Sequence, residues 1–226
     1  HALNLQPKTI VWIFFEGNDL LQLAAEGEEL EQAHPDLGTP SDDLWMRSLT
    51  RNLLVLSKNL VRGCAAHRTF LQYRGKFQEA GGKQTELYFW EKPAALKSMD
   101  RLRLERLRSI LTEAHDLTRQ RGIRFMVAFA PVNYRVHRGL ENFEPSTPEM
   151  REWPFNDLPD VVESMLRAIS PDIEFIDLTL PLREAAAAGR VTYIPDDTHW
   201  TMEGQRVVGE AIHQVLLDLN THIARQ

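Results

Sequence analysis

Residues 8–15, Lys8-Thr9-Ile10-Val11-Trp12-Ile13-Phe14-Phe15, end in an unbroken apolar run rich in β-branched and aromatic side chains. Such a run lacks the alternation of a half-exposed strand and predicts one buried on both faces. It closes on Glu16-Gly17-Asn18-Asp19, after which Leu20, Leu21, Leu23 and Ala24 begin a helical pattern. Residues 26–40 are acidic and broken by Pro35, Gly38 and Pro40, as a loop would be. Ser41-Asp42-Asp43 then reads as a helix start, with Leu44, Leu49, Leu53, Leu56 and Leu60 at helical spacing up to Gly63. Residues 70–90 have no clear period. Their Gly75, Gly81, Gly82, Tyr73, Tyr88, Phe89 and Trp90 suggest an insertion over the core that lines a substrate groove.

The second half has a plainer rhythm. Pro93 opens a long helix whose buried stripe is Leu96, Met99, Leu107, Ile110, Leu111, Ala114 and Leu117, and Gly122 ends it. A strand follows at 123–130, closed by Pro131. Residues 139–156, with Pro145, Pro148 and Pro154, read as an irregular loop. Then come a helix at 157–169, a strand at 173–178 and a short helix at 181–188. A last helix has Val207, Val208, Ala211, Ile212, Val215, Leu216 and Leu219 on its apolar face. Strand and helix in alternation argue for a parallel α/β sheet.

Length adds that 226 residues suit one domain with a sizeable core. Charge narrows the partners: Lys plus Arg number 26 against 32 for Asp plus Glu, a net charge of -6. That balance gives no electrostatic reason to expect nucleic acid. Arg101, Arg103, Arg106 and Arg108 read as a solvated helix face. The single cysteine, Cys64, excludes an intrachain disulfide and a multi-thiolate zinc site. No apolar run approaches the ~20 residues that span a bilayer.

The chemistry gathers near the end of the chain. Tyr193-Ile194-Pro195-Asp196-Asp197-Thr198-His199-Trp200 places two carboxylates within three residues of a histidine, just before an amphipathic helix. A carboxylate that accepts one ring N–H fixes the imidazole tautomer and stabilises the imidazolium, which is how a general base is wired. At the other end, Gly17-Asn18-Asp19 follows a buried strand, where open α/β sheets build their sites. Asn18 there is either a turn-former or a side-chain amide aimed at a developing oxyanion, and Asp19 holds the turn. Tyr134, Arg135 and His137 follow the second strand at the same edge and are candidates to meet substrate. No second histidine stands at ligand spacing near His199, so a metal is not expected.

Taken together, Phe14-Phe15-Glu16-Gly17-Asn18-Asp19 and Asp196-Asp197-Thr198-His199-Trp200-Thr201-Met202-Glu203-Gly204 resemble the SGNH/GDSL hydrolase superfamily. Most similar are its bacterial esterase and O-acyltransferase branches. The resemblance implies a three-layer α/β/α domain with a mostly parallel, flavodoxin-like sheet, carrying an insertion at about 40–95. It implies a serine esterase or O-acyltransferase acting on acyl esters, often acetyl esters of carbohydrates, without cofactor. By the same likeness His199 is the general base and Asp197 or Asp196 its orienting carboxylate, with Asp197 the better match. Asn18 is the oxyanion donor. From their place at the strand ends, and not from the likeness, Gly17, Tyr134 and Arg135 are candidates to lie against substrate, with ordinary loop residues as the alternative for the last two. The family's serine and glycine blocks precede its Gly-Asn-Asp block and have no counterpart here, and Glu16 replaces a glycine common in the family. The expectation is therefore of a nucleophile upstream of residue 1. Any membrane anchor is expected there too, with work outside the cytoplasm on a small-molecule or glycan ester. The alternative is a non-catalytic carbohydrate-binding or assembly module that has lost the serine.

Overall fold

The computed structural model describes residues 5–20, 73–93, 100–155 and 157–223. In chain order these form strands β1 (Thr9–Phe15), β2 (Arg74–Gln78) and β3 (Gln84–Tyr88), helix α1 (Asp100–Arg119), strand β4 (Arg124–Ala130) and the short helix α2 (Asn133–His137). Strand β5 (Phe143–Pro145), helices α3 (Pro148–Arg151) and α4 (Leu158–Ile169), strand β6 (Glu174–Asp177) and helices α5 (Thr179–Ala187) and α6 (Met202–Ile223) follow. The helical patterns expected beyond Leu20 and at 41–63, and Cys64, lie outside the described residues.

Two sheets are present among these elements. In the first, β4 pairs in parallel with β1 on one side and β6 on the other, with Phe15 opposite Ala130 and Phe129 opposite Asp177. The carboxyl ends of all three strands therefore share one edge. β4 is the centre because Phe125 to Ala130 are all buried, each apolar side chain worth roughly 2 kcal/mol when removed from water. Its side chains alternate between two cores. Phe125, Val127 and Phe129 pack with Leu107 and Leu111 of α1 and Leu158, Val162 and Leu166 of α4. Met126 and Ala128 pack with Leu182 and Ala185 of α5 and Val207 and Val208 of α6.

The second sheet is antiparallel, in the order β3-β2-β5. It corrects one expectation and gives order to another stretch. The irregular loop at 139–156 contains β5 and α3, and residues 74–88, where the sequence shows no clear period, are a hairpin whose Phe77 and Leu87 sit in the same core as α5 and α6. The hairpin thus belongs to the packed interior. Alternation was hard to see because a glycine fills an inward position: Gly75 lies against the Phe143 ring where a Cβ would not fit.

Helix α1 ends as its sequence implies. Gly122 takes φ +65°, and the Ile123 N–H reaches back to the Thr118 carbonyl at 3.0 Å. This six-to-one closure needs a left-handed residue that glycine supplies at no steric cost, and it turns the chain straight into β4.

Candidate active site

The loop before α6 is held mostly by its own backbone. Tyr193 and Trp200 form an antiparallel bridge; the Ile194 N–H donates to the His199 carbonyl at 3.0 Å and the Asp197 N–H to the Ile194 carbonyl at 3.1 Å. The Tyr193 ring is buried and its hydroxyl donates to the Pro131 carbonyl at 2.6 Å, which ties the loop to the end of β4. Thr201 caps α6. Its hydroxyl accepts the Gly204 N–H at 3.0 Å and donates to the Val191 carbonyl at 2.6 Å, the usual way a threonine satisfies a first-turn donor. Gly204 lets the helix press on the loop, because a Cβ there would meet the Thr192 carbonyl.

Within this loop Asp197 Oδ1 lies 2.7 Å from His199 Nδ1. The same oxygen accepts the backbone N–H of Thr198 at 2.5 Å and of His199 at 3.2 Å. The hydrogen bond from His199, with those two N–H groups, holds Asp197 below the usual carboxylate range. An ionised carboxylate only accepts, so the proton sits on Nδ1 and Nε2 is the basic nitrogen. Of the two carboxylates considered, the structure pairs Asp197 with the ring. Asp196 contributes its carbonyl, which accepts the Trp90 indole N–H at 2.7 Å.

The Gly-Asn-Asp turn lies at the same sheet edge. Asp19 Oδ2 accepts the Phe15 N–H at 2.8 Å and so closes the turn; burial pushes its carboxyl up. Asn18 makes no side-chain hydrogen bond among the described residues. A cavity of about 350 Å³ is lined by Ile13, Phe15, Asn18, Ala130, Thr198, His199 and Trp200. It brings Asn18 and His199 to one space. No serine is among those lining residues, and the described serines, Ser109, Ser146, Ser164 and Ser170, lie elsewhere. Nor do three His, Cys, Asp or Glu side chains gather as a metal site would require, among the described residues.

Tyr134 and Arg135 require correction. Tyr134 is 1% exposed, packed edge-on against Phe89 and Trp153, with its hydroxyl on the Met150 carbonyl at 2.6 Å. It is a core residue, placed there because α2 turns it inward. Arg135 folds back to form a buried ion pair with Glu16: its Nε lies 2.8 Å from Glu16 Oε2, which also accepts the Val132 N–H at 3.0 Å. Glu16, standing where a glycine is common in the family, thereby fastens the end of β1 to the start of α2. His137 is buried as well.

Two neighbours of the site have no such place in the sequence pattern. Trp90 stands there only as part of the aromatic insertion and Glu91 is not singled out; contacts 106 and 74 positions away put them beside Asp196 and Gly17.

A parallel α/β sheet with a carboxylate–histidine pair beside a strand-end asparagine defines a hydrolase-like α/β domain. Residues 82–225 match the model of the family described as SGNH hydrolase-like domain, acetyltransferase AlgX, and the chain belongs to that family. No curated protein and no solved structure matches the chain.

Proposed function

We propose that the protein is a serine esterase or O-acyltransferase of SGNH type, acting on acyl esters, most simply acetyl esters, of small molecules or glycans. The observation that carries this reading is the Asp197–His199 pair opening onto the same cavity as the Asn18 amide. In this mechanism Nε2 of His199 takes the proton from a serine hydroxyl as its oxygen attacks the ester carbonyl. Asp197 keeps the imidazole in the competent tautomer and stabilises the imidazolium. The Asn18 amide donates to the tetrahedral oxyanion, a contribution of roughly 3 kcal/mol for one such donor. His199 returns the proton to the leaving alcohol, and the acyl-serine then passes its acyl group to water or to a sugar hydroxyl.

The family's order of motifs puts the serine ahead of Gly17, and we assign the nucleophile to that part of the gene product. The same reading takes residues 1–226 as one SGNH-type domain, three-layered, with an insertion at about 40–95. We place its work outside the cytoplasm; no described helix is long and apolar enough to cross a membrane.

Fluorophosphonate labelling of the complete gene product, followed by peptide mapping and p-nitrophenyl acetate turnover, tests this. We expect one labelled serine N-terminal to Gly17, and losses of about 100-fold or more in kcat for both His199→Ala and Asn18→Ala. Wild-type turnover in His199→Ala would sink the reading. Absence of any labelled serine in a folded protein would favour a carbohydrate-binding or assembly module instead.

A further inference from the structure

Residues 88–91 leave the end of β3 and run along both halves of the site. The Tyr88 N–H donates to the Pro195 carbonyl at 2.7 Å, and the Trp90 indole N–H donates to the Asp196 carbonyl, also at 2.7 Å. One residue later, Glu91 Oε2 occupies the space that a Cβ on Gly17 would fill. The segment is pinned on either side of these contacts. Phe89 is buried, donates its N–H to the Tyr73 carbonyl at 3.0 Å, and packs edge-on against Tyr134 and Phe143. Lys92 is held by Glu149 at 3.1 Å and lies over the Tyr73 and Trp153 rings.

We propose that Trp90 and Glu91 are positioning residues, and that the 88–91 strap sets the spacing between the His199 base and the Asn18 amide. The inference rests on the esterase or acyltransferase reading. Trp90 acts through the carbonyl of Asp196, the residue before the carboxylate that orients His199. Glu91 acts through Gly17, the residue before Asn18. Neither side chain lines the cavity. Trp90 is 44% exposed, more than a core anchor would be, and Glu91 Oε2 is buried without a hydrogen-bond partner among the described residues. The carboxyls of Asp19 and Glu16 stand near it, and burial together with their charge pushes Glu91 up toward the neutral acid. The rate of an acyl transfer falls steeply when base and oxyanion donor move apart, by about 100-fold for a misplacement near 1 Å.

The test uses Trp90→Phe, which removes the indole N–H together with the five-membered ring and keeps one aromatic ring, with Glu91→Ala and the near-isosteric Glu91→Gln. In the complete gene product, with p-nitrophenyl acetate, Trp90→Phe and Glu91→Ala should each lower kcat about tenfold with KM within about twofold, the signature of a lost transition-state interaction. Glu91→Gln should restore kcat to within about twofold of wild type. In the 226-residue chain, the 15N shifts of His199 should report the Nδ1–H tautomer in wild type and a shift toward Nε2–H in Trp90→Phe. Unchanged kcat and unchanged His199 shifts in Trp90→Phe would overturn the proposal, as would full activity in Glu91→Ala. The imidazole shifts decide the strap independently of turnover. If His199→Ala keeps wild-type turnover, the enzymatic reading fails while a shifted tautomer in Trp90→Phe still supports the strap.

Discussion

His137 offers a quantitative check on the packing behind the site. Its ring is buried in α2, edge-on to Phe77 at 5.1 Å and tilted against Phe143 at 5.6 Å. Nδ1 meets the Asn133 carbonyl at 3.0 Å, whereas Nε2 has no hydrogen-bond partner among the described residues. Burial is the main reason that its pKa falls from the ordinary 6.5 to about 4, and the positive charge of Arg183 adds to it. The folded state therefore prefers the neutral ring, while the unfolded chain protonates near 6.5. Stability from this group is fully present above pH 6.5, is lost as pH falls toward 4, and changes no further below that. The interval from 6.5 to about 4, at ~1.4 kcal/mol per pH unit, comes to roughly 3 kcal/mol. For a chain of this size that is a melting shift of roughly 6–12 °C. Urea unfolding of wild type and His137→Leu at pH 7 and pH 4 measures it, because the packing defect of the variant is common to both pH values and cancels. Wild type should lose roughly 3 kcal/mol more than the variant between the two. Equal losses would refute the assignment of a buried neutral imidazole.

Arg135→Leu strands the Glu16 carboxylate, which is buried with its cation, and should destabilise by about 3–5 kcal/mol in chemical denaturation; adding Glu16→Gln should recover much of that loss. For Glu91 the raised pKa means a stability contribution present below its ordinary 4.5 and lost as pH rises through the raised value. Glu91→Gln should accordingly raise the melting temperature at pH 7 and not at pH 4, and a pH-independent difference would contradict it. Gly204→Ala drives a Cβ into the Thr192 carbonyl, for a loss of about 1–3 kcal/mol by thermal melting. Gly209→Ala on the same helix meets open space and should stabilise by about 0.5–1 kcal/mol.

The parallel sheet was legible because its strands are continuous β-branched and aromatic runs. The runs expected at 8–15, 123–130 and 173–178 correspond to β1, β4 and β6 within one or two residues at each end, but only β4 is buried on both faces; β1, expected to be so, is mostly half-buried among the described residues, with Ile13 exposed. The long amphipathic helices were legible from their period: α4 and α6 carry their apolar faces at helical spacing over three or more turns. The antiparallel sheet was not. Its strands have five residues or fewer, Gly75 stands at an inward position, and one of the two partners of β2 lies 66–70 positions downstream in β5. Local period cannot report a pairing of that range. At the site, the pairing of His199 with Asp197 was readable because both lie in one tight loop. Tyr134 and Arg135 were misread because position at a strand end does not say which way a side chain turns. Here α2 turns one into an aromatic core and the other onto Glu16, a glutamate 119 residues earlier.

The loop that carries His199 owes its shape to backbone partners at Thr192, Ile194, His199 and, across the strap, Tyr88. Shape and side-chain identity are thus uncoupled along its outer rim. Ile194 and Met202, at either end of this loop, have exposed side chains, Met202 at 86%, and neither side chain supplies a hydrogen bond that keeps the loop closed. Replacing either leaves the Asp197–His199 hydrogen bond and its backbone cradle in place. A loop built this way tolerates change along its exposed positions without first passing through variants in which the geometry of that pair has collapsed.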